Sequence, residues 1–352
     1  MRTPFRAASA AKRAATQAIQ ANPVLTPTAP PTPPPNPPKP ATPDPIIKDI
    51  TKLRLNHHCF YYETTPPTPL ELQSASTIFK KTHHSPIKMW SAAEFRTIPR
   101  SDVPEVAFLG RSNVGKSSLL NAVMQDQICR TSSKPGRTRE MNAYGIGGRK
   151  GGEARVVLVD TPGYGQASHE EWGREILKFL TRRRQLRRAF ILIDSLHGIK
   201  STDAALLSLL RESAVPHQII LSKVDSILLL PSSPTTKPKS KPKPNNANKN
   251  NNNKNKNNPT IPHSNLTALE QFSRQILAQI QPAPEPGPRK GQVIRDGPPA
   301  LGEVLSCSSR MRGAGGVGGG KDGKGGKDGK GFLGVDAVRW AILKAAGLEG
   351  CV

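Results

Sequence analysis

Residues 110–117 read Gly-Arg-Ser-Asn-Val-Gly-Lys-Ser. Glycine, four intervening residues, glycine, lysine and a hydroxyl make up a phosphate-binding loop when a strand precedes them and a helix follows. Gly110 and Gly115 let the backbone of Arg111, Ser112, Asn113 and Val114 curl so that its N–H groups converge on an anion. Lys116 neutralises the outer phosphates, Ser117 offers a hydroxyl to Mg²⁺, and Ser118 beside it continues a helix whose N-terminus adds its positive dipole end. Further on, Asp160, Thr161, Pro162 and Gly163 close an apolar run. There an aspartate can hold Mg²⁺ through water, and the Gly163 N–H can meet a terminal phosphate. A third cluster, Ser222, Lys223 and Asp225, closes another apolar run. The Asp225 carboxylate can accept from N–H groups that guanine has and adenine lacks, with Lys223 along the base. Adenine there would leave a buried charge unpaired. Cys307, Ser308 and Ser309 are expected to turn backbone N–H groups toward the guanine carbonyl. This order predicts a GTP/GDP site with Lys116 and Gly163 in catalytic roles. A P-loop ATPase is disfavoured by Asp225. The alternative from another class is a non-hydrolysing RNA-binding or scaffold protein with a structural nucleotide pocket, against which intact Lys116, Ser117 and Asp160 argue.

The elements that must position these residues follow from apolar periodicity. From residue 106 short apolar runs alternate with helical segments, which indicates a mostly parallel sheet covered by helices. Residues 266–280 read as a helix, 302–306 as a short last strand and 335–346 as a closing helix. Two stretches interrupt this pattern. Residues 231–262 hold seven lysines and no acid within an Asn/Lys run, and 313–331 are a Gly/Lys/Asp repeat; both are expected to be disordered loops.

Of 352 residues 35% are hydrophobic and 35 are proline, so the core must concentrate in the periodic segments. The chain carries 51 Lys+Arg against 26 Asp+Glu, a net charge of +25 that favours a polyanionic partner such as RNA. Arg182, Arg183, Arg184, Arg187 and Arg188 form a basic cluster that can meet RNA phosphates or simply be a solvated helix end. The four cysteines lie far apart with no paired spacing, so neither a zinc site nor a disulfide framework is expected. No window reaches the roughly 18 apolar residues of a membrane span. Residues 1–43 begin with Arg2, Arg6, Lys12 and Arg13 among Ala, Ser and Thr, continue into a proline-rich run, and contain no acid. They predict a transit peptide and a mitochondrial matrix location, ahead of chloroplast or cytoplasm. Residues 44–94 read as a linker, and nothing before about residue 75 is expected to join the main fold.

The stretches GRSNVGKSSLLNA, KPGRTRE, DTPGYGQA and LIDSLHGIKSTD resemble the EngB (YihA-type) GTPases, densely over about residues 95–225 and more loosely over 263–348. The resemblance implies a Ras-like domain over residues 95–350 with a six-stranded sheet and helices on both faces. It also implies Mg²⁺ held by Ser117, Thr138 and Asp160, with Gly136, Arg137 and Thr138 in a mobile switch and Thr138 sharing in catalysis. It further implies a switch acting as a monomer in assembly of the large ribosomal subunit, with rRNA or a subunit precursor as partner. Asn113 matches a potassium ligand of related GTPases, so K⁺ is expected there. Two departures stand out. Ser222 replaces the family's threonine, which is expected to loosen the tie between base pocket and P-loop and weaken guanine binding. Tyr164 occupies the place of the water-orienting glutamine of Ras-type enzymes, so hydrolysis is expected to be slow.

Overall fold

The computed structural model describes residues 59–129, 140–148, 153–164, 170–230, 261–281, 285–286, 293–294, 300–311 and 331–351. The expected leader, the switch residues Gly136, Arg137 and Thr138, the Gly/Lys/Asp repeat except Gly331 and nearly all of the Asn/Lys run lie outside them.

In chain order the elements are β1 (Phe60–Tyr61), α1 (Pro69–Ile78), β2 (Ile87–Ala92), β3 (Glu105–Gly110), α2 (Lys116–Met124), β4 (Met141–Ile146), β5 (Val156–Asp160), α3 (Glu170–Arg182), β6 (Leu186–Asp194), α4 (Ser201–Glu212), β7 (His217–Ser222), α5 (Asp225–Leu228), α6 (His263–Ile280), β8 (Glu285–Pro286), β9 (Val293–Ile294), β10 (Glu303–Ser306) and α7 (Val335–Ala345). The main sheet runs β1-β10-β7-β6-β3-β5-β4-β2, and β8 and β9 form a separate antiparallel pair. Pairings from β10 through β5 are parallel, and those of β1, β2 and β4 are antiparallel.

The central strands are apolar on both faces because both are covered. Alternate residues of β3 go to opposite sides. Ala107 and Leu109 join Ile191, Ile219, Phe179, Leu210 and Ile276 beneath α3, α4 and α6. Val106 and Phe108 join Phe190, Leu120, Val123 and Ile342 beneath α2 and α7. The doubly covered α/β sheet is thus as expected, but among the described residues it has eight strands rather than six. Phe60 pairs with Val304, and Trp90 with Ala143, adding one strand at each edge.

Residues 59–94, expected to be a linker, therefore belong to the fold. Thr68 caps α1 through the Glu71 N–H (3.3 Å), and Glu71 returns the bond to the Thr68 N–H (2.6 Å). Leu72, Ala75 and Phe79 are buried against the α7 side of the core. The proline-rich context hid a capped helix with only a few apolar residues on its inner face.

His217, at the start of β7, is buried with Nδ1 2.8 Å from Val215 O. Burial pulls its pKa below the ordinary imidazole value, with Arg211 acting the same way against the Val215 contact. The unfolded chain then takes this proton more readily than the folded one. Its contribution to stability is complete above about pH 6.5 and is lost as pH falls from there through the folded value. His217→Gln is expected to melt with a smaller drop between neutral and mildly acid pH than the parent chain.

Candidate functional site

Strand β3 delivers the loop at residues 110–117 to the C-terminal edge of the sheet, where β5, β6 and β7 also end. Gly115 is the residue before α2 and has φ +103°, a left-handed conformation that disfavours side chains. Lys116 starts the helix and is 8% exposed. Burial pulls its ammonium pKa down, partly offset by the Asp160 charge, so the loop holds a poorly solvated cation that an anion would relieve. Val114 is buried, Asn113 is exposed with φ +65°, and Ser118 lies in the first turn of α2.

Asp160 ends β5 at 3% exposure, and burial raises its carboxyl pKa against the opposing effects of Lys116 and Ser117. Ser117 Oγ donates to Oδ2 at 3.1 Å, while the buried Oδ1 makes no hydrogen bond to a described residue. An orphaned carboxylate oxygen beside a serine hydroxyl fits a hard divalent cation such as Mg²⁺. Thr161 is buried, and its hydroxyl donates back to Phe108 O at 2.8 Å, bracing the turn. Pro162 is buried beside it. Gly163 lies on the P-loop: a Cβ there would meet Ser112 N and Cα at 2.9 Å.

At the end of β7, Ser222 Oγ donates to Val114 O (2.8 Å) and approaches Ile193 O (3.2 Å). The serine hydroxyl, which has the reach of threonine's, therefore keeps the tie to the P-loop that the replacement was expected to loosen. Lys223 adopts φ +57° and pairs with Asp194 (2.8 Å), its Cε passing over Gly115. Asp194 itself, despite the upward push of burial, is held below the ordinary carboxylate range by Lys223 and the Leu196 N–H. Asp225 starts α5 and accepts from Ser308 Oγ at 2.7 Å. Ser222 thus ties the end of β7, which leads to Lys223 and Asp225, to the loop at residues 110–117.

A family model described as 50S ribosome-binding GTPase matches residues 105–223. The chain is 45% identical over 141 residues to the probable GTP-binding protein EngB of Bartonella tribocorum, covering 38% of this chain and 66% of that protein. It is 47% identical over 139 residues to that of Bartonella bacilliformis, covering 37% and 65%. The chain contains a P-loop GTPase domain homologous to EngB. It spans a little under two thirds of the length of these relatives. A solved structure of a probable GTP-binding protein engB aligns over 35% of this chain and 72% of its own, with 24% identity and a TM-score of 0.28.

Two expectations for the EngB-type domain change. The Cys307 and Ser308 N–H groups are used within the fold, on Leu221 O (2.8 Å) and Leu333 O (3.0 Å). They are not turned toward a base, because they continue β10 and pin α7. Ser308 acts instead through its hydroxyl on Asp225, and Ser309 follows it, partly buried. The arginine cluster also shrinks. Arg183 is buried in a two-pronged pair with Glu105 (2.7 and 3.0 Å), and Arg188 donates to Gln218 (2.8 Å). Only Arg182, Arg184 and Arg187 of the five are exposed. They flank the start of β6, about 25 Å of strand from Asp194 at its other end.

Sequence reading missed Asp194, Asp203 and the hydroxyl role of Ser308. Asp203 is fully buried and takes the Lys200 N–H at 2.9 Å, the Tyr164 hydroxyl at 2.8 Å and an ion pair with Arg111 at 3.1 Å. Its signal was present in LIDSLHGIKSTD, where both aspartates fall within a motif assigned no chemistry.

Proposed function

We propose that this protein is a slow, Mg²⁺-dependent GTPase that uses the GTP/GDP difference as a switch in assembly of the large ribosomal subunit, in the mitochondrial matrix. The observation that carries the reading is the bond from Ser222 to Val114 O, which ties the strand end that leads to Lys223 and Asp225 to the P-loop beside the Ser117–Asp160 pair. The Asp225 carboxylate selects guanine, and Lys223 lies along the base. Lys116 and the loop N–H groups stabilise charge on the transferring phosphoryl group, with Gly163 meeting the terminal phosphate. Mg²⁺ on Ser117 and Asp160, with Thr138 as a further ligand, would neutralise negative charge on the phosphates. The Tyr164 phenol is turned onto Asp203 and carries no amide to orient water, so turnover is set low, on the order of 10⁻³ s⁻¹ or below. Asn113 would hold K⁺, which would supply part of the missing charge stabilisation.

The ribosomal role draws on the description of the matching family model and on the net charge of +25. The matrix location rests on the acid-free basic leader. Among the described residues no helix is long and apolar enough to cross a membrane. The protein acts as a monomer. Arg182, Arg184 and Arg187, at the far end of β6, would contact rRNA phosphates in the GTP state.

Single-turnover hydrolysis by the full chain tests the proposal. GTP is expected to be cleaved in KCl faster than in NaCl, to resist competition by excess ATP, and to stop on addition of EDTA. Guanine-selective binding without turnover would replace the GTPase with a structural nucleotide pocket.

A further inference from the structure

Tyr164 is fixed through both backbone and side chain. Its N–H donates to Gly110 O (3.4 Å), and its carbonyl accepts from the Ser112 N–H (3.1 Å). This bridge carries the β3/β5 pairing past the ends of both strands. The phenol donates to Asp203 Oδ1 at 2.8 Å. Asp203 sits in the first turn of α4, with Oδ2 on the Lys200 N–H and 3.1 Å from Arg111 Nε. Arg111 reaches on to Gly198 O at 3.3 Å. Burial, reinforced by the Asp203 charge, holds the phenol above its ordinary pKa, so it remains a donor.

The consequence lies one residue earlier. Gly163, whose N–H would meet a terminal phosphate, packs on the backbone of Ser112, where even a Cβ would be 2.9 Å from Ser112 N and Cα. The Ser112 N–H, in the loop that wraps the phosphates, is already committed to Tyr164. With Gly163 read as the contact of a terminal phosphate, that phosphate would enter where Gly163 packs on Ser112, and a diphosphate, which lacks it, would not.

We propose that Tyr164, Asp203 and Arg111 form a latch that holds Gly163 and Tyr164 on the P-loop and makes the site favour guanosine diphosphate over triphosphate. The latch rests on the reading of this site as one for guanine nucleotides. It adds residues that set which phosphate state is preferred, with α4 as the anchoring element. Arg111 is then a P-loop residue whose side chain serves the latch and not the phosphates.

Tyr164→Phe tests it with little risk to folding, since Asp203 keeps Arg111 and the Lys200 N–H. In the nucleotide-free full chain, amide exchange at Ser112 is expected to quicken about tenfold in the variant. Titration with a fluorescent non-hydrolysable GTP analogue is expected to show about tenfold tighter binding, with fluorescent GDP unchanged. Unchanged exchange, or equal shifts for both nucleotides, overturns the latch and leaves Tyr164 a packing residue. A parent chain that binds neither nucleotide overturns the guanine-nucleotide reading itself. A parent that binds both, with a variant that keeps the parent's ratio, overturns the latch alone.

Discussion

Asp225→Asn is expected to weaken GDP and GTP binding on the order of 10²-fold, about 3 kcal/mol, while leaving the fold intact. The direction follows from Ser308. Its hydroxyl donates to Asp225 Oδ1, so an asparagine in that place keeps its carbonyl oxygen on Ser308 and turns its NH₂ toward the base. Guanine presents N–H donors there, and donor then faces donor. Xanthine, with a carbonyl where guanine has its amino group, should regain part of the loss. Fluorescent-nucleotide titration against the parent chain measures both effects. Equal affinities of parent and variant for GDP would show that Asp225 does not read the base. Ser308→Ala is the milder companion. It frees the carboxylate to rotate but keeps both acceptors, so the expected loss is about tenfold.

What could be read in the sequence follows from how local each constraint is. The P-loop needs only its own eight residues, a strand before and a helix after, so its identity and placement were legible. Asp160 and Asp225 were legible for the same reason, each closing an apolar run. The same logic fails where a side chain's partner is distant along the chain. An aspartate in a first helical turn reads as an ordinary capping residue, and nothing local says that Asp203 takes a phenol 39 residues away. A run of arginines reads as an RNA-contacting or solvated surface until Glu105, 78 residues from Arg183, is found buried beneath it. At Ser222 local reasoning judged the replacement of threonine by its type. The geometry of β7 and the P-loop brings Val114 O within reach regardless. Residues 59–94 were illegible for a different reason. A two-residue strand and a helix with a narrow apolar face carry too little periodicity to outweigh their proline-rich surroundings.

That N-terminal helix is joined to the far end of α2, the helix after the P-loop, through one buried side chain, Arg339 of α7, whose removal is the largest stability effect expected. Helix α2 ends with carbonyls that lack partners along its own axis. Arg339 supplies them, with Nε on Val123 O (2.9 Å) and Nη2 on Ala122 O (2.8 Å). Its remaining nitrogen meets Asp336 and Ser76 Oγ (3.2 Å), and Ser76 Oγ in turn donates to Asp336 at 2.6 Å. The guanidinium is 4% exposed at the residue level and lies 6.0 Å from the Phe79 ring centre. One planar group therefore joins α1, α7 and the far end of the phosphate-binding helix. Arg339→Ala leaves a buried carboxylate and two helix-end carbonyls without it, which should cost about 3–5 kcal/mol and lower the melting temperature on the order of 10 °C. Arg339→Lys keeps the charge but cannot span both carbonyls, so it should recover only part of this. Ser76→Ala removes one hydroxyl from the network and should cost about 1 kcal/mol. Denaturant unfolding of the three variants measures the order. If Arg339→Ala melts with the parent, the capping of α2 contributes nothing to stability. If Arg339→Lys equals the parent, charge alone carries the effect and the two-carbonyl fork does not.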